Sequence, residues 1–102
     1  MSEEEQVVIN LIVNSGGARS SASEAIQYAK GGDLEKARQS LKDARETVNL
    51  AHHSQTQLIQ AEIRGEKAPL NLLMVHAQDH LMNALVVIDL AEEFVDLYEK
   101  IG

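Results

Sequence analysis

Apolar residues recur at helical spacing along almost the whole chain, and only two short breaks interrupt them. Val7, Val8, Leu11 and Ile12, then Ala22, Ala25, Ile26 and Ala29, fall three and four residues apart, which places them on one face of a helix. Ser2 with Glu5 three residues on is a capping box, and Glu3 and Glu4 suit the positive end of the helix. Lys30 in the last turn and Gly31-Gly32 stop it. Asp33 caps a second helix with two heptad rows, Leu34, Leu41, Val48, Gln55 and Ala37, Ala44, Ala51, Leu58, closed by Arg64 and Gly65. Pro69, favoured in a first turn, opens a third that runs to about Lys100.

The predicted helices cover about 3–30, 34–64 and 69–100 of a single domain, 1–102. Connections of a few residues make consecutive helices antiparallel neighbours, so the expected fold is all-α, an up-down-up three-helix bundle. Gly16-Gly17 breaks the pattern inside the first helix, where each glycine costs about 1 kcal/mol relative to alanine. The pair marks either a kink between two shorter helices or a point where another backbone or a partner's side chain comes close.

The third helix is apolar over more than one stripe. Two adjacent rows, Leu73, His80, Val87, Phe94, Ile101 and His76, Asn83, Leu90, Leu97, are expected to meet the other helices. A further row, Leu72, Val75, Asp79, Met82 and Val86, then has nothing in the monomer to cover it and is expected to form an oligomer interface. Asp79 sits in that row. If three copies converge on a threefold axis, two carboxylates ~4 Å apart repel by about 4 kcal/mol at an effective dielectric of ~20, so they must share protons or bind a hard cation such as Mg²⁺.

Composition removes several function classes. A formal net charge of −7 and three aromatic residues, Tyr28, Phe94 and Tyr98, argue against a nucleic-acid surface. With no cysteine, thiol catalysis and disulfides are excluded, and a reducing cytoplasmic setting is expected. The start MSEEEQ lacks the basic region of a secretory signal, and no apolar run approaches the ~20 residues of a membrane span.

The candidate chemistry lies on the third helix, where His76 and His80 are one turn apart and flanked by Gln78 and Asp79. Three readings stand. Both rings are packed core residues, or they are metal ligands completed by His52 with His53 nearby, or His76 is a nucleophilic imidazole that takes up a phosphoryl group. The last needs no further ligand, because a neutral imidazole offers a lone pair near pH 7. It does need donors around the phosphoryl oxygens. With the helix starting at Pro69 the dipole contributes little to His76, which leaves Gln78, His80, Gln55 and Thr56 as candidates. Without a GxxxxGK[ST] loop, the phosphoryl donor is expected to be another phosphoprotein.

Three stretches, V-H-A-Q-D-H-L-M (Val75 to Met82), N-S-G-G-A-R-S (Asn14 to Ser20) and A-H-H-S-Q-T-Q-L-I (Ala51 to Ile59), resemble the lactose/cellobiose-type enzyme IIA of the bacterial sugar phosphotransferase system. The likeness spans essentially the whole chain; Ala77, where some members carry glycine, is a mild variation. The resemblance implies a homotrimer and a phosphotransferase component. In it His76 accepts the phosphoryl group on Nε2 from HPr and passes it to a cysteine of enzyme IIB, for uptake of a β-linked disaccharide of the cellobiose, chitobiose or lactose type. It further implies Asp79 at the threefold axis beside one divalent ion per trimer, with His80 in support of His76. The alternative is a homotrimeric binding or scaffold module with a structural metal on His76, His80 and His52 and no transfer chemistry.

Overall fold

The computed structural model describes residues 2–102, and the helix signals read from the chain are where two of its three helices start and all three stop. The first, α1, is Glu3–Lys30; α2 is Leu34–Ile63; α3 is Leu72–Ile101. The Ser2 hydroxyl oxygen accepts from the Glu5 N–H at 3.1 Å, and the same hydroxyl donates to the Glu5 carboxylate. Asp33 caps α2 through the Lys36 N–H. Both turns close in the same way. Gly32 and Gly65 adopt φ of 89° and 90°, and the N–H of the residue after each, Asp33 and Glu66, donates back to Tyr28 and Ala61. These are six-to-one helix closures that favour a residue without a Cβ at the left-handed position.

The third helix starts later than the proline suggests. Pro69 lies in the connection, and the Asn71 side chain caps α3 by accepting from the Met74 N–H at 2.9 Å. A side-chain oxygen that satisfies a free N–H defines a helix start more strongly than a favourable proline φ. Helix α1 is unbroken through Gly16-Gly17, so the pair does not divide it into two shorter helices. A Cβ on Gly16 would meet nothing within 4 Å, and one on Gly17 would meet only the Thr47 methyl at an ordinary 3.8 Å. Neither reading of that pair is realised within the chain.

The bundle is all-α and measures 52 × 24 × 20 Å, with α1 packed against both α2 and α3, which touch each other less. The expected faces of α1 and α2 are buried: Val8, Leu11, Ala22, Ala25 and Ala29 from one, Ala37, Leu41, Ala44, Val48 and Ala51 from the other. The expectation for α3 is overturned. Its buried face is Met74, Ala77, Leu81, Ala84, Ile88, Ala91 and Val95, whereas Leu73, Leu90, Phe94, Leu97 and Ile101 are 43–70% exposed. The reason is volume. Ala77, Ala84 and Ala91, a heptad apart, face the alanines of α1 and α2 and permit the close approach that Leu90 or Phe94 would prevent. Arg38 reaches Asp96 and Glu99 at 2.8 and 2.7 Å, and Arg45 reaches Glu92 at 2.7 Å, which sets the antiparallel register of α2 and α3. Hydrogen bonds donated to the Glu99 and Asp96 carboxylates hold the Arg38 guanidinium above its ordinary pKa, and the bond to Glu92 does so for Arg45.

Candidate functional site

With the alanine face turned inward, the opposite side of α3 is left uncovered. It carries Leu72, Val75, Met82, Val86, Leu90, Phe94 and Leu97, all 46–85% exposed, and among them His76, Asp79 and His80. The expected uncovered row is present, and it is wider than predicted because the row assigned to the core joins it. His76 is therefore not a packed core residue. It is exposed in the second turn of α3, and its ring lines an open apolar recess of about 470 Å³ with Leu72 and Leu73.

Helical side chains lean towards the N-terminus, so the ring of His80 reaches back to that of His76. The centroids are 4.4 Å apart, the planes are at 86°, and the two Nε2 atoms are 3.0 Å apart. His80 is the more buried of the two rings. The start of α3 at Leu72 also brings the positive end of the helix to within four residues of His76, closer than a start at Pro69 allowed.

The other expected donors go elsewhere. Residues two apart on a helix face different sides, and Gln78 lies on the flank of α3 that meets α2, where its carbonyl accepts from the Gln55 amide at 2.7 Å. The Gln78 amide points at the Met74 sulfur. The Thr56 hydroxyl donates to the His52 carbonyl. Of the four candidates, His80 alone contacts His76 in this chain.

A metal centre on His76, His80 and His52 is not assembled either. The α3 side chains paired with α2 are Gln78, Asp89, Glu92, Asp96 and Glu99, and no hydrogen bond joins the His52 or His53 ring to His76 or His80 among the described residues. His52 and His53 are exposed. Among the described residues no group of three or more His, Cys, Asp or Glu side chains is placed to hold a metal. Asp79 is exposed and, among the described residues, makes no ion pair or hydrogen bond, so one chain supplies a single carboxylate and does not by itself fit a divalent cation. No described helix is long and apolar enough to cross a membrane. The residue that sequence reasoning missed is Asn71. Its signal was legible, an Asn directly before the apolar run Leu72-Leu73.

Comparison with known proteins follows this geometry. Residues 6–99 match the family described as the lactose/cellobiose-specific IIA subunit of the PTS system. The chain is 58% identical to the lichenan-specific phosphotransferase enzyme IIA component of Bacillus subtilis, over 99% of this chain and 93% of that protein. The crystal structure of the cellobiose-specific enzyme IIA from Bacillus anthracis superposes with a TM-score of 0.96 at 53% identity, covering 99% and 93% of the two chains. The chitobiose IIA of Escherichia coli, solved in complex with HPr, superposes with a TM-score of 0.85 at 40% identity, covering 99% and 98%.

Proposed function

The chain belongs to the lactose/cellobiose-specific IIA family of the phosphotransferase system, whose members are phosphotransferase components of a phosphorelay, and on that footing we propose that His76 is the residue that carries the phosphoryl group. The observation that carries this reading is the setting of His76: an exposed imidazole beside an open recess, near the positive end of α3, with a second imidazole hydrogen-bonded to it. A phosphoryl carrier needs a ring nitrogen that a donor can reach in line and a hydrogen-bond donor for the oxygens it receives; the exposed ring of His76 and the neighbouring ring of His80 are the groups that meet those needs.

The donor is HPr, and the acceptor is a cysteine of enzyme IIB. A relative that was solved bound to HPr supports the first of these. In the uptake step the Nε2–P bond forms as the bond from phosphorus to the donor breaks, and the donor atom keeps the bonding pair. His76 becomes an imidazolium bearing the phosphoryl group on Nε2 and hydrogen on Nδ1. Its positive charge makes the group easy to surrender to the thiolate in the second step. The sugar taken up is a β-linked disaccharide, in keeping with relatives named for lichenan, cellobiose and chitobiose, and the work is done in the cytoplasm.

The uncovered row Leu72, Val75, Asp79, Met82 and Val86 supports a homotrimer in which that row is the seam. No step is routed through a metal. A hard cation such as Mg²⁺ becomes a ligand only of three Asp79 carboxylates, one from each chain.

The test is incubation with phosphoenolpyruvate, enzyme I and HPr. The expected result is an acid-labile, alkali-stable phosphate on the chain that is lost in His76→Ala while helicity by circular dichroism is kept. Normal labelling of His76→Ala would dismiss the assignment.

A further inference from the structure

We infer that Asn71 is a positioning residue for the transfer: its cap on α3 holds the turn that forms the recess and carries His76. The inference rests on the carrier reading above. Besides His76, the recess is lined by Leu72 and Leu73, and both stand in the first turn of α3. His76 follows in the next turn, where the regular helix pairs its N–H with the Leu72 carbonyl. Unwinding that one turn removes the recess and releases the backbone under the imidazole.

Little in the chain holds this turn except Asn71. Leu72, Leu73 and Val75 are 85%, 43% and 52% exposed, and of the turn Met74 alone is buried. The first turns of α1 and α2 carry acidic side chains that favour a helix start, Glu3, Glu4 and Glu5 in one and Glu35 in the other, whereas that of α3 carries none. Two hydrogen bonds close the turn, and Asn71 accepts both. Its side-chain oxygen takes the Met74 N–H at 2.9 Å and its carbonyl the Val75 N–H at 3.1 Å. Firm packing begins only at Ala77 and Leu81. An alanine at a helix cap moves the balance between a formed and a frayed turn about fivefold towards the frayed one. The frayed chain keeps the rest of α3 but does not present His76, and a partner that binds the formed turn must draw it back. The cost falls on apparent affinity for the donor and not on the transfer step once the donor is bound.

The test is the rate of phosphoryl uptake by the intact chain as the concentration of phospho-HPr is varied, well below the melting temperature. In Asn71→Ala the KM for phospho-HPr is expected to rise about two- to fivefold with kcat unchanged. Amide hydrogen exchange at Val75 and His76 is expected to quicken about fivefold. Asn71→Ser, a cap of similar strength, returns both to their original values. Asp33→Ala removes the cap of α2 at the other end of the bundle and leaves KM as it was. Contacts between copies along Leu72 and Val75 would add to the hold on this turn. Unchanged exchange at Val75 and His76 in Asn71→Ala means that such contacts suffice, and overturns the inference. An unchanged KM does the same, as does a failure of Asn71→Ser to restore it. An equal rise in Asp33→Ala reduces the effect to general stability and also overturns it. If the unmodified chain takes up no phosphoryl group, the carrier reading itself falls, whereas normal uptake with an unchanged KM in Asn71→Ala sinks this inference alone.

Discussion

Gln78 and His76 stand two positions apart on α3 and serve opposite sides of it: the Gln78 carbonyl is held by the Gln55 amide at 2.7 Å against α2, while His76 meets His80 on the outer face. The division separates a bond that holds the bundle from a pair that is open to partners. Gln55→Ala is expected to cost about 1 kcal/mol of stability, since a half-buried carbonyl loses its donor and must recruit water. A urea titration checks this, with a midpoint shift at unchanged slope as the expected outcome.

Ser15 is fully buried on α1, and its hydroxyl has no hydrogen-bond partner among the described residues. Replacing it with alanine removes an unsatisfied polar atom and leaves a void smaller than a water molecule. Ser15→Ala is expected to raise stability by about 1 kcal/mol. Thermal unfolding followed at 222 nm reads this directly; a lower melting temperature would mean that the hydroxyl is bonded.

Gly16 has helical backbone and empty space where a Cβ would stand. Gly16→Ala is therefore expected to stabilise the chain by about 0.5–1 kcal/mol, through lower entropy of the unfolded state and better helix propensity. Differential scanning calorimetry is the measurement. A loss of stability instead would place a second chain against that part of α1.

If the outer face of α3 is the seam of a trimer, Asp79 is a carboxylate brought from water into the company of two like charges. Asp79→Leu is then expected to leave the trimer intact and stabilise it by about 1–4 kcal/mol, seen as a higher melting temperature, as with other buried charges exchanged for apolar side chains. Sedimentation velocity with and without Mg²⁺ tests the point. Dissociation of Asp79→Leu into monomers would make the ion a required staple.

The number of helices, two of their three starts, their stops and the inward faces of α1 and α2 were legible in the chain, because each depends on interactions within a turn or two. Ser2 with Glu5, Asp33 with Lys36, and the glycines at positions 32 and 65 act on their own neighbours. The meeting of His76 with His80 was legible for the same reason, being a matter of four-residue spacing. The orientation of α3 was not. Apolar rows cover most of its circumference, so periodicity fixes their relative phase without saying which one turns inward. That was decided by how closely three helices can approach. The row with alanine every seventh residue fits against the alanines of α1 and α2, and the bulkier Leu90, Phe94 and Leu97 are left outside. Tertiary packing thus put the histidine pair on an open face and the glutamine pair on a closed one, because complementarity of volume between helices is not a property of any one of them.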